Sequence, residues 1–403
     1  MRARALARSC GPRGDALSAV ADVIIAGAGI GGLTTAIALA RTGIRVRVLE
    51  RASELRTAGA GLALQPNAVA ALTELGLGPA IIAAGSALSR AAILNRSGRR
   101  LGPETRFSRI FNDPTARTVA VHRARLHEVL LDAVGEGVVR MGVRITGFEQ
   151  GTDGVTAVCG SGERIGTELL IGADGVHSAV RAQLVGDGPP RYAGYTSWRG
   201  ITPPGQVRPP DRVTETWGHG ERFGLVDIGF GEIYWFAVAN APPGGTDRDA
   251  RAELLARFGG WHDPIRMVID ATPTDRIIRT DIVDREPITS WHEGRVALLG
   301  DAAHPMTPNL GQGAGQAIED ARSLAQCLAG RRSLEEALRA YETARVARAN
   351  GFVLASRQFG AVSQWSHPVK AWTRDLAMRL TPERALIAQA RKLLGASPHA
   401  AAR

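Results

Sequence analysis

The chain has 403 residues, 44% of them apolar, and a formal net charge of +10, which is enough material for two domains or for one domain carrying insertions. No run approaches the roughly 20 uninterrupted apolar residues of a membrane span, and residues 1 to 21 lack the apolar block of a secretory signal. The basic residues are scattered, with isolated pairs such as Arg99-Arg100 and Arg331-Arg332 and no basic block, which argues against nucleic acid as a partner; Cys10, Cys159 and Cys327 lie far apart without a CxxC, which argues against disulfides and a metal site and suits the cytoplasm.

Residues 1 to 21 read as a disordered tail in which Arg2, Arg4, Arg8 and Arg13 precede the first acid, Asp15; a mitochondrial presequence is the alternative. An apolar strand, Val23 to Ala26, then runs into GAGIGG (27 to 32) and a helix beginning LTTAIALA. A second strand, Ile44 to Leu49, alternates apolar and basic residues and ends at Glu50, completing a βαβ unit. Gly27 makes the turn, Gly29 lets the backbone approach a pyrophosphate, Gly32 permits close helix-strand packing, and the positive end of the helix faces the phosphates. Glu50 is placed to accept hydrogen bonds from an adenosine ribose and disfavours a 2′-phosphate, which selects FAD or NAD over NADP. A GxGxxG alone can be an ordinary glycine turn; the strand, the helix and Glu50 together make it a nucleotide site.

Between 60 and 115 short helices (Ala68 to Leu75, Ala80 to Ala84) mix with turns, Leu126 to Val134 has helical amphipathic spacing, and 143 to 171 reads as a strand meander ending in Leu169-Leu170-Ile171 before GADG. Residues 190 to 284 change to short strands broken by Pro203-Pro204, Pro209-Pro210 and Pro242-Pro243, the pattern of a sheet inserted into the first domain. Within it, Tyr195, Ser197 and Arg199 share one strand face, as do Glu215, Trp217 and His219, and Tyr234 and Phe236; sheet core is the competing reading for the aromatics. The chain then returns to αβ character. Val296 to Leu299 is a buried strand, Asp301 follows it, and Pro308-Asn309-Leu310-Gly311-Gln312-Gly313-Ala314 opens a helix over about 313 to 329 whose free N–H groups stabilise negative charge. Ser333 caps another long helix reaching about residue 359, and 366 to 403 reads as helical. His304 is a lone histidine without neighbouring ligands.

GAGIGG, GADGVHSAVR (172 to 181) and GRVALLGDAAHPMTPNLGQGAGQAIEDA (294 to 321) resemble, in order and spacing, the three fingerprints of the single-component FAD-dependent monooxygenases, the family of p-hydroxybenzoate hydroxylase. The resemblance spans about residues 22 to 360. GAGLALQPNAVAAL (59 to 72) and VHRARLHEVLL (121 to 131) support it, and WGHGERFGLVDIGFGEIYWF (217 to 236) places it on the salicylate, urate and zeaxanthin side of the family.

The resemblance implies an α/β fold: a Rossmann-like FAD-binding domain of the glutathione-reductase type over 22 to 189 and 285 to 365, an inserted β-sheet substrate domain over 190 to 284, and a C-terminal helical segment over 366 to 403. It implies FAD held by Gly27, Gly29, Gly31, Gly32, Glu50, Arg51, Ala63, Arg123, Asp174, Asp301, Pro308, Gly311, Gln312, Gly313 and Ala314, with Asp301 on a ribityl hydroxyl, Arg123 reaching the flavin and Arg181 closing the second fingerprint. His304 would pack beside the flavin loop. The substrate cleft would carry Arg199, Tyr195, His219 and Tyr234. No second strand-GxGxxG-helix with its own acid is present, so NAD(P)H would be a transient co-substrate rather than a resident. The implied reaction inserts one atom of O2 into an aromatic ring or activated, polyene-like double bond through a C4a-hydroperoxyflavin. A flavin-dependent dehydrogenase or reductase of the same fold, or a flavin-binding regulator without turnover, are the competing functions; oxygen incorporation excludes the first and steady NAD(P)H oxidation the second.

Overall fold

The computed structural model describes residues 23–54, 60–330 and 333–394. The expected tail over 1 to 21 and the end of the C-terminal segment lie outside these residues.

A six-stranded sheet forms the first layer, ordered His292–Glu293, Val296–Leu298, Leu169–Gly172, Val23–Ala26, Val46–Glu50 and Val139–Met141. All pairings are parallel except the short His292–Glu293 edge. The strands Val23–Ala26, Leu169–Gly172 and Val296–Leu298 are buried at every position, which is why they read as unbroken apolar runs: helices cover both faces of such a sheet. The helix Ile30–Ala40 lies against Gly313–Gly330, which packs in turn on the long helix Leu334–Ser363.

Local signals placed the elements well and their ends less well. The expected strand at Ile44 begins at Val46. The helix expected from Leu126 begins at Arg123, because the His122 side chain accepts the Ala124 N–H at 3.1 Å and caps it one strand-end earlier. The meander resolves into an antiparallel sheet of Ile145–Gln150, Val155–Cys159 and Arg164–Thr167 before the chain re-enters the parallel sheet. Ser333 accepts the Glu336 N–H at 3.2 Å, and the helix it starts runs to Ser363.

The second large sheet has seven strands, ordered Ile278–Asp284, Arg191–Ile201, Ile233–Asn240, Glu221–Asp227, Val213–Trp217, Arg90–Asn95 and Thr105–Arg106. The last two come from well before residue 190, so the sheet is completed by the stretch assigned to the nucleotide domain. Two helices, Ala250–Phe258 and Ile265–Ala271, were not anticipated. They cover one face of this sheet with a core of Trp198, Phe223, Trp235, Phe258 and Trp261. The other face packs, through Val226, Ile228 and Tyr234, on Leu88 and Ala120 of a three-stranded sheet ordered Gly61–Leu64, Thr118–His122 and Gly85–Leu88. The helices Pro368–Leu380 and Glu383–Leu394 end the described chain, and no described helix is long and apolar enough to cross a membrane.

Candidate functional site

Strand register brings the three distant glycine motifs to one place. Ala26 stands level with Gly172, and Gly172 with Leu298. Three backbone bonds continue this alignment past the strand ends: Gly27 N–H to Leu49 C=O at 2.8 Å, Ala173 N–H to Ala26 C=O at 2.9 Å, and Leu299 N–H to Gly172 C=O at 2.9 Å. Gly27, Asp174 and Asp301 therefore leave the sheet side by side at its carboxyl edge, where open α/β sheets bind ligands.

The glycines there are held by sterics. Gly27 has φ +101°, and a Cβ on it would lie 2.6 Å from Ala173 O; a Cβ on Gly32 would lie 2.0 Å from Gly27 O. A Cβ on Gly31 would come 2.9 Å from Leu299 in the third motif. Gly29 differs: none of the described residues lies within 4 Å of a Cβ placed there, and as the residue that precedes the Ile30–Ala40 helix it provides no side-chain cap. Free N–H groups thus border open space, the requirement for a pyrophosphate. Glu50 is fixed at the same edge by accepting Ala28 N–H at 2.8 Å and Ala52 N–H at 2.9 Å. Arg51 follows it, exposed, in a bend.

Asp174 Oδ2 accepts Ala179 N–H at 2.8 Å, while Oδ1 is buried without a partner among the described residues. Burial pushes its carboxyl up, against the hydrogen bonds from Ser178 and the backbone. An orphaned carboxylate oxygen beside an uncapped helix start fits a hydroxyl of a bound cofactor. Asp301 is reachable by water but crowded by protein on the cleft floor; this desolvation raises its carboxyl, and the charges of His304 and Arg123 act in the opposite direction. Arg123 is exposed and its guanidinium makes no hydrogen bond or ion pair among the described residues. The helix Gly313–Gly330 starts next to Asp301, with no acid in its first turn. Arg181, fully buried, joins the second and third motifs: it donates to Ala302 C=O at 3.0 Å and Ala303 C=O at 2.7 Å while pairing with Asp187.

Under this floor lies a buried ionic network. His304 Nε2 is 2.5 Å from Asp320. Arg345 donates to Asp320 at 2.7 Å, to Glu319 at 2.7 Å and to Gln316 at 2.7 Å; Asn67 reaches Glu319 at 2.6 Å. Burial alone would raise Asp320, but His304 and Arg345 outweigh it and hold the carboxyl below its ordinary value. Since that acid is ionised, the His304 ring nitrogen facing it carries the proton. His304 is thus a support of the loop. Gln312 bonds through its side chain to Gln65 (2.6 Å) and Gln316 (3.0 Å), Gly311 before it has φ +61°, and Gly313 lies beside Asp301.

The seven-stranded sheet forms a wall beside this edge, where Tyr234 meets Gly61 and Tyr195 meets Asn309. Arg199 stands opposite Phe236, Phe236 opposite Gly224, and Gly224 opposite Glu215, so these share one face; Ile201 and Tyr234 are the next row. Gly224 leaves room for the Phe236 ring, which a Cβ would meet at 2.1 Å. Tyr234 abuts Gly61, the start of the Gly61–Leu64 strand that carries Ala63. Burial raises the Tyr234 phenol and the Arg199 charge opposes that. Arg199, half-buried, forms no hydrogen bond or ion pair among the described residues.

Two candidates for the substrate cleft sit elsewhere. The Tyr195 hydroxyl accepts Asn309 Nδ2 at 2.7 Å, with the residue 4% exposed; it braces the Pro308–Leu310 turn rather than opening on the cleft. His219 is not on a strand: residues 218–220 form the hairpin turn, where it is exposed. Asn309, Arg222 and Arg345 were missed. Arg222 donates to Asn309 and Glu215, locking sheet to loop. Arg345 had a readable signal, since Leu338, Tyr341, Arg345, Ala349 and Phe352 repeat at helical spacing on a buried face, and an arginine in such a seam requires a carboxylate.

The sequence matches the FAD binding domain family over residues 20–222 and 237–356. It is 46% identical over 377 residues to the aurachin C monooxygenase/isomerase of Stigmatella aurantiaca, covering 93% of this chain and 98% of that protein. It is 38% identical over 342 residues to the FAD-dependent urate hydroxylase of Klebsiella pneumoniae, covering 83% of this chain and 88% of the relative. Its structure superimposes on that of Klebsiella pneumoniae HpxO complexed with FAD and uric acid with a TM-score of 0.86, at 33% identity, over 94% of this chain and 97% of the other. The chain belongs to the FAD binding domain family and, within it, to the FAD-dependent monooxygenases.

Proposed function

We propose that this protein uses NAD(P)H and O2 to hydroxylate an aromatic ring, or epoxidise an activated double bond, of a small organic molecule in the cytoplasm. One oxygen atom enters the product and the other leaves as water. The observation that carries the reading is the level alignment of Gly27, Asp174 and Asp301 at one sheet edge, beside a wall that bears an unpaired Arg199.

FAD, when bound, supplies the redox chemistry and the activation of O2. The chain's own residues bind, orient and exclude water. Gly29 and the uncapped helix start take the pyrophosphate, Glu50 the adenosine ribose, and Asp174 and Asp301 cofactor hydroxyls. Arg123, with the Gly313–Gly330 helix start, favours negative charge on the reduced ring. Arg51, Ala63, Pro308, Gly311, Gln312, Gly313 and Ala314 border the same space. Residues 22 to 189 with 285 to 365 form the cofactor domain and 190 to 284 most of the substrate wall, on which Arg199, Tyr234 and Phe236 place an electron-rich substrate. The similarity to a urate hydroxylase makes flat nitrogen-containing rings such as uric acid the first candidates.

The reading is tested by screening candidate rings for stimulation of NAD(P)H oxidation and weighing the product. Stimulation with a product heavier by one oxygen supports it; a product lacking two hydrogens and no added oxygen would make the enzyme a dehydrogenase.

A further inference from the structure

The helix Pro368–Leu380 presents an apolar stripe to water. Val369, Trp372, Leu376 and Leu380 recur at spacings of three and four, hence on one face, and are 61%, 62%, 37% and 72% exposed. Single exposed apolar side chains are ordinary, but four aligned on one helix are a surface. The stripe is held rigidly. On the inward face Ala371 is buried, and Arg374 donates to Ser363 C=O and Gly218 C=O, both at 3.0 Å, with its guanidinium 5.1 Å from the centre of the Trp217 ring.

The stripe ends at a basic recess. Arg379, on the last turn of the helix, lines a hollow of about 700 Å³ together with Arg100, Arg106, Arg109, Glu104 and Glu383. Arg109 pairs with Glu383 at 2.5 Å, and Glu104 is taken by Arg90 and Arg212. Arg100, Arg106 and Arg379 are exposed, and their guanidiniums make no hydrogen bond or ion pair among the described residues. Three unneutralised guanidiniums converging on one hollow repel one another unless an anion joins them. The next helix, Glu383–Leu394, adds Arg391 and Lys392 in its last turn.

We propose that this face docks the enzyme on an anionic phospholipid bilayer, with Trp372, Leu376, Val369 and Leu380 entering the headgroup boundary and Arg100, Arg106 and Arg379 receiving lipid phosphates. An apolar stripe with flanking bases is the pattern of an interfacial helix. A second copy of the chain fits worse. A twofold contact would match stripe with stripe and supply no anion to the three unpaired arginines of either recess.

The test is flotation of the full-length, FAD-loaded protein with vesicles of phosphatidylcholine alone and of phosphatidylcholine with phosphatidylglycerol. Binding is expected only to the anionic vesicles and is expected to weaken as salt rises. Arg106→Glu with Arg379→Glu removes two basic contacts and should lower the partition coefficient by about fivefold for each arginine, or more with the reversed charge. Trp372→Ser with Leu376→Ser should abolish binding while FAD content and melting temperature stay unchanged. Absence of the wild type from the anionic vesicles, or equal binding by both double variants, overturns the proposal. So does a dimer in vesicle-free solution that Trp372→Ser with Leu376→Ser converts to monomer, which would assign the stripe to a second copy. Binding of inorganic phosphate at the recess without vesicle binding would also overturn it, in favour of a free anion.

Discussion

Arg345 Nε donates to Asp320 Oδ1 across 2.7 Å with both side chains out of water, and the other oxygen of the same carboxylate takes His304. The long helix Leu334–Ser363 is thereby bound to the helix that opens at the flavin loop, and the loop residue His304 is held by the same acid. A buried carboxylate pays its desolvation back only while its cations stay in place. Arg345→Met takes one cation from both acids, leaving Asp320 with His304 and Glu319 with Arg348 at 2.8 Å, and is expected to cost about 3 kcal/mol in chemical denaturation. Adding Asp320→Asn to that variant should recover part of the loss. A double variant as unstable as the sum of its single variants would show that the two residues do not interact.

Arg181 is fully buried and its fork serves Asp187 on one side and two carbonyls of the third motif on the other. Lysine carries the charge but not the planar fork. Arg181→Lys is expected to weaken FAD binding by roughly 10- to 150-fold, the worth of one charged hydrogen bond, as read by flavin fluorescence on titrating the apoprotein. Unchanged affinity would leave Arg181 a support of the fold alone.

Glu50 and Asp301 should separate cofactor binding from folding. Each is expected to lower FAD affinity by a comparable factor when changed to alanine, while the melting temperature of the apoprotein moves little for Asp301→Ala, whose carboxylate has no hydrogen bond within the described protein. Glu50→Ala also frees the Ala28 and Ala52 N–H groups, so a modest loss of apoprotein stability accompanies it. Normal flavin affinity in Asp301→Ala would make that residue a turn residue.

Arg199 is half-buried and makes no hydrogen bond or ion pair among the described residues. If it holds an anionic group of the substrate or of NAD(P)H, Arg199→Ala should lower kcat/KM by about 10- to 150-fold for that ligand and not for the other. Arg199→Lys should recover only part of it. A change below about threefold for both ligands would retire the residue from the site.

The acid limb of stability should have an early step. Burial, with the Arg123 charge next in size, takes the His127 imidazole down from 6.5 to about 4, and burial lowers His122 in the same direction. A histidine depressed in the folded state stays neutral while the unfolded chain takes up its proton. Stability is therefore flat above pH 6.5 and falls as pH drops from 6.5 toward 4, by roughly 3 kcal/mol for His127. Asp320 and Glu319 are depressed carboxyls, whose contribution is lost below the usual carboxylate range. His127→Gln should flatten the slope between pH 4 and 6.5 in urea melts while leaving the steeper loss below it.

The family and its cofactor were legible because the motifs that carry them have local constraints. Gly27 and Gly32 are demanded by backbone contacts within a turn, Glu50 by the end of its own strand, and Asp301 by the end of a buried one. The seven-stranded sheet was legible only as a set of strand faces. Alternation put Arg199 and Phe236 on a shared side, but nothing near Tyr195 in sequence announces that Asn309, 114 residues on, will take its hydroxyl. His219 was misplaced for a local reason, since Gly218 and Gly220 on either side turn the chain there. The strands Arg90–Asn95 and Thr105–Arg106 join a sheet built mostly a hundred residues later, a pairing that propensity does not encode.

Monooxygenation requires that one oxygen atom of O2 end in the product while bound FAD is turned over. The most direct measurement supplies ¹⁸O-labelled O2, NAD(P)H and a ring that stimulates NAD(P)H oxidation, and reads the product by mass spectrometry together with the flavin released on denaturation. One labelled oxygen per product molecule, with FAD as the released flavin, is the expected result. Product oxygen drawn from water, or FMN in place of FAD, would contradict it.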